Sequence, residues 1–193
     1  MKIVVGISGA SGAIYGIRTL EALKQLTIES HLVLSKTAAQ TIEYETEYKA
    51  DEVLEMASVV YDNDNMGAAI SSGSFKVDGM IIAPCSIKTL SGIANSYNNE
   101  LLTRAADVSL KERRKLVLLV RETPLHLGHL NLMTSVTQMG GVILPPVPSF
   151  YHLPKTTDDI VNQTVQKALD QFGIEANLFM RWNGIEFAKQ NRN

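Results

Sequence analysis

Cysteine, tryptophan and aromatic residues are scarce: 193 residues hold one Cys, one Trp and 6% aromatics. The lone Cys85 cannot build a disulfide framework and fits a reducing compartment. No window offers 18 consecutive apolar residues, so no membrane-spanning helix is expected. The N-terminal apolar run is short and broken by Gly6 and Gly9, so no signal peptide is expected. Charge of one sign is lacking too. With 18 Lys+Arg against 20 Asp+Glu the net charge is -2, and no global basic field draws the chain toward nucleic acid. A cytoplasmic protein without nucleic-acid or membrane partners is the expectation. What is abundant is aliphatic. Hydrophobic residues make up 45%, enough for one domain of this length to bury roughly 70% of its unfolded surface.

Apolar runs alternate with helical patterns. Lys2–Ile7 is rich in β-branched residues and predicts a buried first strand; Ile14, Ile17, Leu20 and Leu23 then recur at helical spacing through Leu26. His31–Leu34, Met80–Ala83, Leu116–Val120 and Val142–Leu144 predict four more strands. Helices are expected over Thr37–Tyr44, Ala50–Ala57, Ser86–Ala94, Leu101–Glu112, His126–Met139 and Asp158–Phe172, the last capped by Thr156 or Thr157. This alternation predicts an α/β fold, a three-layer Rossmann-like or flavodoxin-like, mainly parallel sheet with helices on both faces. One domain is expected over 1–173. An arm over 174–193, carrying Phe179, Trp182, Ile185 and Phe187, would pack on the site or on a neighbouring subunit. The polar stretch from Asp62 through Ser74 reads as a loop and a candidate part of a site.

Ligands of open parallel sheets sit beyond the carboxyl ends of the strands. Those ends here run into Ser8-Gly9-Ala10-Ser11-Gly12-Ala13, Ser35-Lys36, Pro84-Cys85-Ser86-Ile87-Lys88-Thr89, Arg121-Glu122 and Pro145-Pro146. Small residues, hydroxyls and the cations Lys36, Lys88 and Arg121 thus converge on one edge, which suits a flat ligand bearing a phosphate. Gly6, Gly9, Gly12 and Gly16 do not spell G-x-G-x-x-G, and Ser35-Lys36 stands where a dinucleotide site needs an acid, so NAD is disfavoured. No G-x-x-x-x-G-K-[ST] occurs, which removes a P-loop. A mononucleotide such as FMN remains, although the same loop also reads as a plain strand-to-helix turn.

Arg104, Asp107 and Lys111 share a helical face. Arg113, Arg114 and Lys115 read as a solvated basic helix end, whereas Arg104 lies among apolar neighbours and, buried, would need an anion. Glu122 fits either a proton carrier or a structural partner of Arg121, and Glu45 belongs to an acidic run of the kind more often found on surfaces. His126 and His129 have the spacing of a metal pair, but no third ligand is evident. Cys85, without a nearby His, reads as inert packing. Phe150-Tyr151 and Trp182 offer an aromatic wall outside the core elements.

Taken jointly, Gly6-Ile7-Ser8-Gly9-Ala10-Ser11-Gly12-Ala13, Ser35-Lys36, Glu45-Thr46, Ser71-Ser72-Gly73-Ser74, Pro84-Cys85-Ser86-Ile87-Lys88-Thr89-Leu90, Arg104-Ala105-Ala106-Asp107-Val108, Leu110-Lys111-Glu112-Arg113, Arg121-Glu122-Thr123-Pro124 and Pro148-Ser149-Phe150-Tyr151 closely resemble the UbiX-type flavin prenyltransferases, from residue 1 to about Trp182. Older usage calls that family 3-polyprenyl-4-hydroxybenzoate or aromatic-acid decarboxylases. The resemblance implies metal-independent transfer of a dimethylallyl group from dimethylallyl monophosphate to N5 and then C6 of reduced FMN. The product would serve a UbiD-type decarboxylase, in ubiquinone synthesis or on aromatic acids. It also implies a homo-dodecamer with sites shared between subunits.

By the same resemblance Gly9, Ala10, Ser11, Ser35, Ser72, Ser86, Ile87, Lys88, Thr89 and Arg121 match FMN-binding positions. Arg104, Lys111, Arg121, Tyr151, Lys167 and Trp182 match the dimethylallyl phosphate site, and Ser11, Glu45, Lys111 and Glu122 match catalytic positions. Lys167 departs from the Arg common there and loses its bidentate fork. Several cations and a π-rich wall would serve a leaving phosphate and a developing allyl cation, and no Asp-rich diphosphate motif is present. Two other readings are a flavoprotein decarboxylase of the cysteine-decarboxylase group and a non-catalytic FMN carrier. The first would carry a His after the second strand and a P-x-M-N-x-x-M-W segment, both missing here. The second has no use for the additional cations Arg104, Lys111 and Lys167.

Overall fold

Six parallel strands form a single sheet in the order β3-β2-β1-β4-β5-β6. The structure, a computed structural model, describes residues 1–184; Ile185 and Phe187 of the expected arm lie outside the described residues. The strands are β1 (Lys2–Ile7), β2 (Glu29–Leu34), β3 (Val59–Asp62), β4 (Gly79–Cys85), β5 (Lys115–Val120) and β6 (Val142–Ile143). The helices are α1 (Ala13–Gln25), α2 (Lys36–Glu45), α3 (Ala50–Leu54), α4 (Ile87–Ala94), α5 (Leu101–Lys111), α6 (Leu127–Gln138) and α7 (Thr157–Asp170). The expected α/β class holds, with every strand pair parallel.

Period-two alternation sorts the apolar runs onto two faces. Ile3, Val5 and Ile7 of β1, Ile81 and Ala83 of β4, and Val117 and Leu119 of β5 pack with α1, α2, α3 and α7. Val4, Met80, Ile82, Leu116, Leu118 and Val120 pack on the other side with α4, α5 and α6. Both faces are buried, which is why these strands read as continuous apolar runs.

Strand β3 is absent from the sequence reading. It is a four-residue edge strand whose side chains alternate between half-buried and exposed, with Val60 42% exposed. So short a signal, next to polar Asp62–Asn65, does not stand out from loop. Helix α7 begins as expected: the Thr156 hydroxyl accepts from Asp159 N–H at 3.2 Å and the Asp159 carboxylate accepts from Thr156 N–H at 2.9 Å. Of the basic end after α5, Arg113 and Lys115 are exposed as expected, whereas Arg114 is not. Arg114 is half-buried and donates to the Phe75 and Gly73 carbonyls at 2.8 and 2.6 Å, while Lys115 donates to the Gln171 carbonyl. These cations pin neighbouring segments, because loop carbonyls that lack a ladder partner draw donors from the adjoining helix end.

One buried polar residue makes stability depend on pH. His31 on β2 is 2% exposed, with Nδ1 3.0 Å from the Tyr61 hydroxyl and Nε2 3.0 Å from Glu29 Oε1. Burial pushes its pKa down, outweighing the Glu29 carboxylate, and nearby Lys2 acts in the same direction as burial. The unfolded chain therefore takes up the proton first, near its ordinary value of about 6.5. The stabilisation is complete above that pH and is lost as pH falls below it. Melting temperature is expected to drop between pH 7.5 and 5.5, with a shallower drop in His31→Gln; equal slopes would assign the proton uptake to another group.

Candidate active site

The strand order reverses between β1 and β4, the point at which parallel sheets open a crevice. Ser8, 2% exposed, joins the two strand ends: its hydroxyl donates to the Pro84 carbonyl at 2.9 Å and accepts from Ser86 N–H at 2.8 Å. Beyond it the chain turns so closely that a Cβ on Gly9 would stand 2.5 Å from the Thr37 side chain. Gly12, at φ 99°, starts α1. Its N–H donates to Glu45 Oε2 at 2.7 Å, so the last residue of α2 closes the loop. Glu45 is exposed, as its acidic run suggested, yet this contact ties it to the crevice.

Two helix N-termini meet there. Ser35 caps α2, accepting from Ala38 N–H at 3.1 Å, and Ser86 caps α4, accepting from Thr89 N–H at 3.2 Å. A cavity of about 430 Å³ lies between them, lined by Gly9, Ser35, Lys36, Ser86, Lys88 and Thr89 among others. Paired N-termini with small residues and hydroxyls suit a phosphate. The cations are less free than their spacing suggests, since Lys36 pairs with Asp64 at 2.6 Å and Lys88 lies 3.5 Å from Glu100. Cys85 sits below the crevice, fully buried, and burial pushes its thiol far up, away from a nucleophilic thiolate.

Beside the crevice stands a second group. Arg121 and Glu122 follow β5 and are exposed, and neither forms an ion pair among the described residues. Instead Glu122 Oε1 accepts from Thr123 N–H at 3.0 Å. The Arg121 charge reaches Tyr15, whose hydroxyl burial pushes up while Thr164 of α7 and Arg121 pull it down. Also on α7, Gln163 donates to the Tyr151 hydroxyl at 3.2 Å and Lys167 is exposed one turn on. The Tyr151 and Trp182 rings meet edge to face, 6.1 Å apart at 77°.

Three of the residues matched by resemblance stand elsewhere in the chain. Arg104 is not buried as its neighbours suggested: its side chain is 31% exposed, and its anion is Asp107 at 3.0 Å. It also donates to the Ser71 carbonyl at 3.0 Å, next to Ser72. Lys111 pairs with Glu112, and the pair lies against Gly73, where a Cβ would stand 2.2 Å from Glu112 Oε1 and push that exposed side chain aside. Lys111 ends α5 just before β5 begins, whereas Arg121 follows the end of β5. Six residues of strand, about 20 Å, separate those edges. One chain therefore does not bring Lys111 and Arg121 into one pocket.

The sequence reading passed over Gln163, Gln166 and Asp170 on α7 and Arg181 on the arm. Polar Gln163 and Gln166, 6% and 1% exposed, interrupt an apolar helical face, and that interruption was the available signal. His126 and His129 stack with ring centroids 3.6 Å apart, and no cluster of three or more metal-ligating side chains occurs among the described residues.

The family model described as Flavoprotein matches residues 1–169. The flavin prenyltransferase UbiX of Thauera aromatica is 63% identical over 186 residues, 96% of each chain. Among solved structures, AnUbiX in complex with FMN and dimethylallyl pyrophosphate superposes at TM-score 0.94 and 49% identity, covering 95% of this chain and 98% of that one. A dodecameric FMN-dependent UbiX-like decarboxylase from Escherichia coli O157:H7 also gives 0.94, at 50% identity over 95% of this chain and all of the other. The epidermin biosynthesis protein EpiD of Staphylococcus aureus, at 18% identity and TM-score 0.60, shares the fold alone. Identity this high along nearly the whole chain, with a backbone that superposes on AnUbiX at TM-score 0.94, makes this protein a member of the UbiX family of flavin prenyltransferases.

Proposed function

We propose that this chain transfers a dimethylallyl group from dimethylallyl monophosphate to N5 and C6 of reduced FMN, producing a prenylated flavin for a UbiD-type decarboxylase in the cytoplasm. The observation that carries the reading is two sets of anion-seeking groups. The capped N-termini of α2 and α4 make one, at the crevice; exposed Arg121 at the end of β5, and Lys167 on the α7 face that holds Tyr151, make the other. A single FMN phosphate accounts for the first only. A second phosphate beside an aromatic pair is what an allylic phosphate donor requires. The AnUbiX complex, which holds FMN and dimethylallyl pyrophosphate, supports the same pairing of ligands.

Each residue then has a role. Reduced FMN, when bound, would supply a nucleophilic N5 and, one carbon beyond the ring fusion, C6. Ser35, Ser86 and Thr89 receive its phosphate, and Gly9, Ala10, Ser11, Ile87 and Lys88 border it. Glu45 holds the Gly12 N–H and thereby orients Ser11. Arg121 and Lys167 neutralise the leaving phosphate, and Tyr151 and Trp182 turn ring surface toward the allyl cation. Glu122 or the departing phosphate takes the C6 proton. Ser72, Arg104 and Lys111 act from a neighbouring copy, since they lie along the other flank of their own chain. The dodecameric Escherichia coli relative supports such an assembly. So do Leu127, 71% exposed on α6, and Phe150, 68% exposed after β6, apolar surface that packing between copies would cover.

The test is anaerobic incubation with reduced FMN and dimethylallyl monophosphate, and separately with the diphosphate, followed by mass spectrometry of the released flavin. Gain of one five-carbon prenyl unit with the monophosphate is expected. Flavin recovered unchanged from both would overturn the reading and leave an FMN carrier.

A further inference from the structure

Between Ile174 and Gly184 the chain forms no helix or strand, so its backbone groups have no ladder to satisfy them. Side chains of α7 take over. Gln166, 1% exposed, uses its whole amide: Oε1 accepts from Ala176 N–H at 3.2 Å and Leu178 N–H at 3.3 Å, and Nε2 donates to the Ile174 carbonyl at 3.0 Å and to Asp170 Oδ1 at 2.9 Å. Asp170 in turn accepts both arms of the Arg181 guanidinium, at 2.9 and 2.6 Å. The next residue is Trp182.

Gln163, Gln166, Lys167 and Asp170 follow one another at i, i+3, i+4 and i+7, which puts them on one face of α7. That face carries both halves of the aromatic pair, Tyr151 through Gln163 and Trp182 through Asp170 and Arg181, with Lys167 between them. The arm makes a second aromatic contact, Phe179 edge-on to His152 at 5.5 Å, and His152 adjoins Tyr151.

We propose that Gln166, Asp170 and Arg181 form a latch that sets the position of Trp182 against Tyr151, and so act as positioning residues for the allylic donor. This rests on reading Tyr151 and Trp182 as the wall of the prenyl site. Asp170 joins two otherwise separate sets of bonds: Gln166 orders the near half of the arm, and the bidentate Arg181 fork fixes the residue adjoining the ring. An arm held by apolar contacts alone would keep its burial while allowing Trp182 to swing. With the fork in place, the ring direction is set by two parallel hydrogen bonds.

Trp182 is the only tryptophan, so intrinsic fluorescence reports on it alone. Asp170→Asn and Arg181→Gln are expected to shift its emission to the red and to increase quenching by iodide. KM for dimethylallyl monophosphate is expected to rise about tenfold, with the FMN dissociation constant unchanged. Arg181→Lys, which keeps the charge and one hydrogen bond, is expected to recover most of both signals. Emission, quenching and KM all matching the unsubstituted protein in both variants would overturn the latch, and so would equal loss of FMN binding and donor use, which marks a general loss of structure. The fluorescence readings need no turnover. Failure of the unsubstituted protein to prenylate FMN would therefore count against the proposed function, while the optical result still decides whether the latch exists.

Discussion

Lys111→Ala and Arg121→Ala, each expected to slow prenyl transfer about 10²–10³-fold, should regain activity when the two variants are co-assembled. Arg121 stands at the carboxyl end of β5, and Lys111 precedes its amino end. A pocket needing both must draw one from each of two copies across a heterologous contact, in which two different surface patches of the same chain meet. In an equal mixture about one site in four then combines an intact Lys111 with an intact Arg121, and the rate returns to roughly that fraction of the unsubstituted value. Were both residues contributed by one chain, every site would lack one of them and mixing would restore nothing. The measurement is the prenylation rate of refolded or co-expressed mixtures against each variant alone. FMN titration adds a second check. Lys111→Ala is expected to bind FMN normally, because the capped N-termini of α2 and α4 would hold the flavin phosphate without it.

Gly16→Ala is expected to cost the fold heavily. A Cβ at this position would stand 2.3 Å from the Ala83 carbonyl oxygen and 2.7 Å from Ile7 Cδ1. The first is backbone of a central strand, so the helix must move. Helix α1 would lift from β1 and β4 where Ser8 joins them, and the crevice would open with it. Overpacking of this kind costs about 1–3 kcal/mol, or about 3–10 °C in melting temperature for a chain of this size. FMN affinity is expected to fall together with stability. Gly67→Ala is the control: its Cβ would meet only Asn65 Oδ1 at 3.4 Å, and no change is expected. Unaltered melting and FMN binding in Gly16→Ala would show that the helix adjusts without loss.

The edge that carries the crevice was legible because chemistry that depends on backbone geometry is local. Gly9 and Gly12 announce a tight turn, and Ser35 and Ser86 stand out as hydroxyls at strand ends; that they cap α2 and α4 is seen only in the structure. Buried strands reveal themselves as apolar runs, and β1, β2, β4 and β5 were read for that reason. The four-residue β3 was lost because an edge strand buries too little to leave such a run. Glu45 looked like surface in the sequence, and its hydrogen bond to Gly12, 33 positions away, has no local signal.

By itself, the sequence determined the class of fold, the crevice edge, the hydroxyls along it and the scarcity of aromatics that makes Tyr151 and Trp182 conspicuous. Their period and spacing are properties of the chain over a few residues. Tertiary structure alone decided which charges far apart along the chain are spent on each other, as Lys36 is on Asp64 and Lys88 on Glu100. It alone separated Lys111 from Arg121 and gave Gln166 the task of holding the arm. Side-chain pairing and the distance across a sheet depend on how elements stack, and no short-range pattern along the chain encodes that stacking.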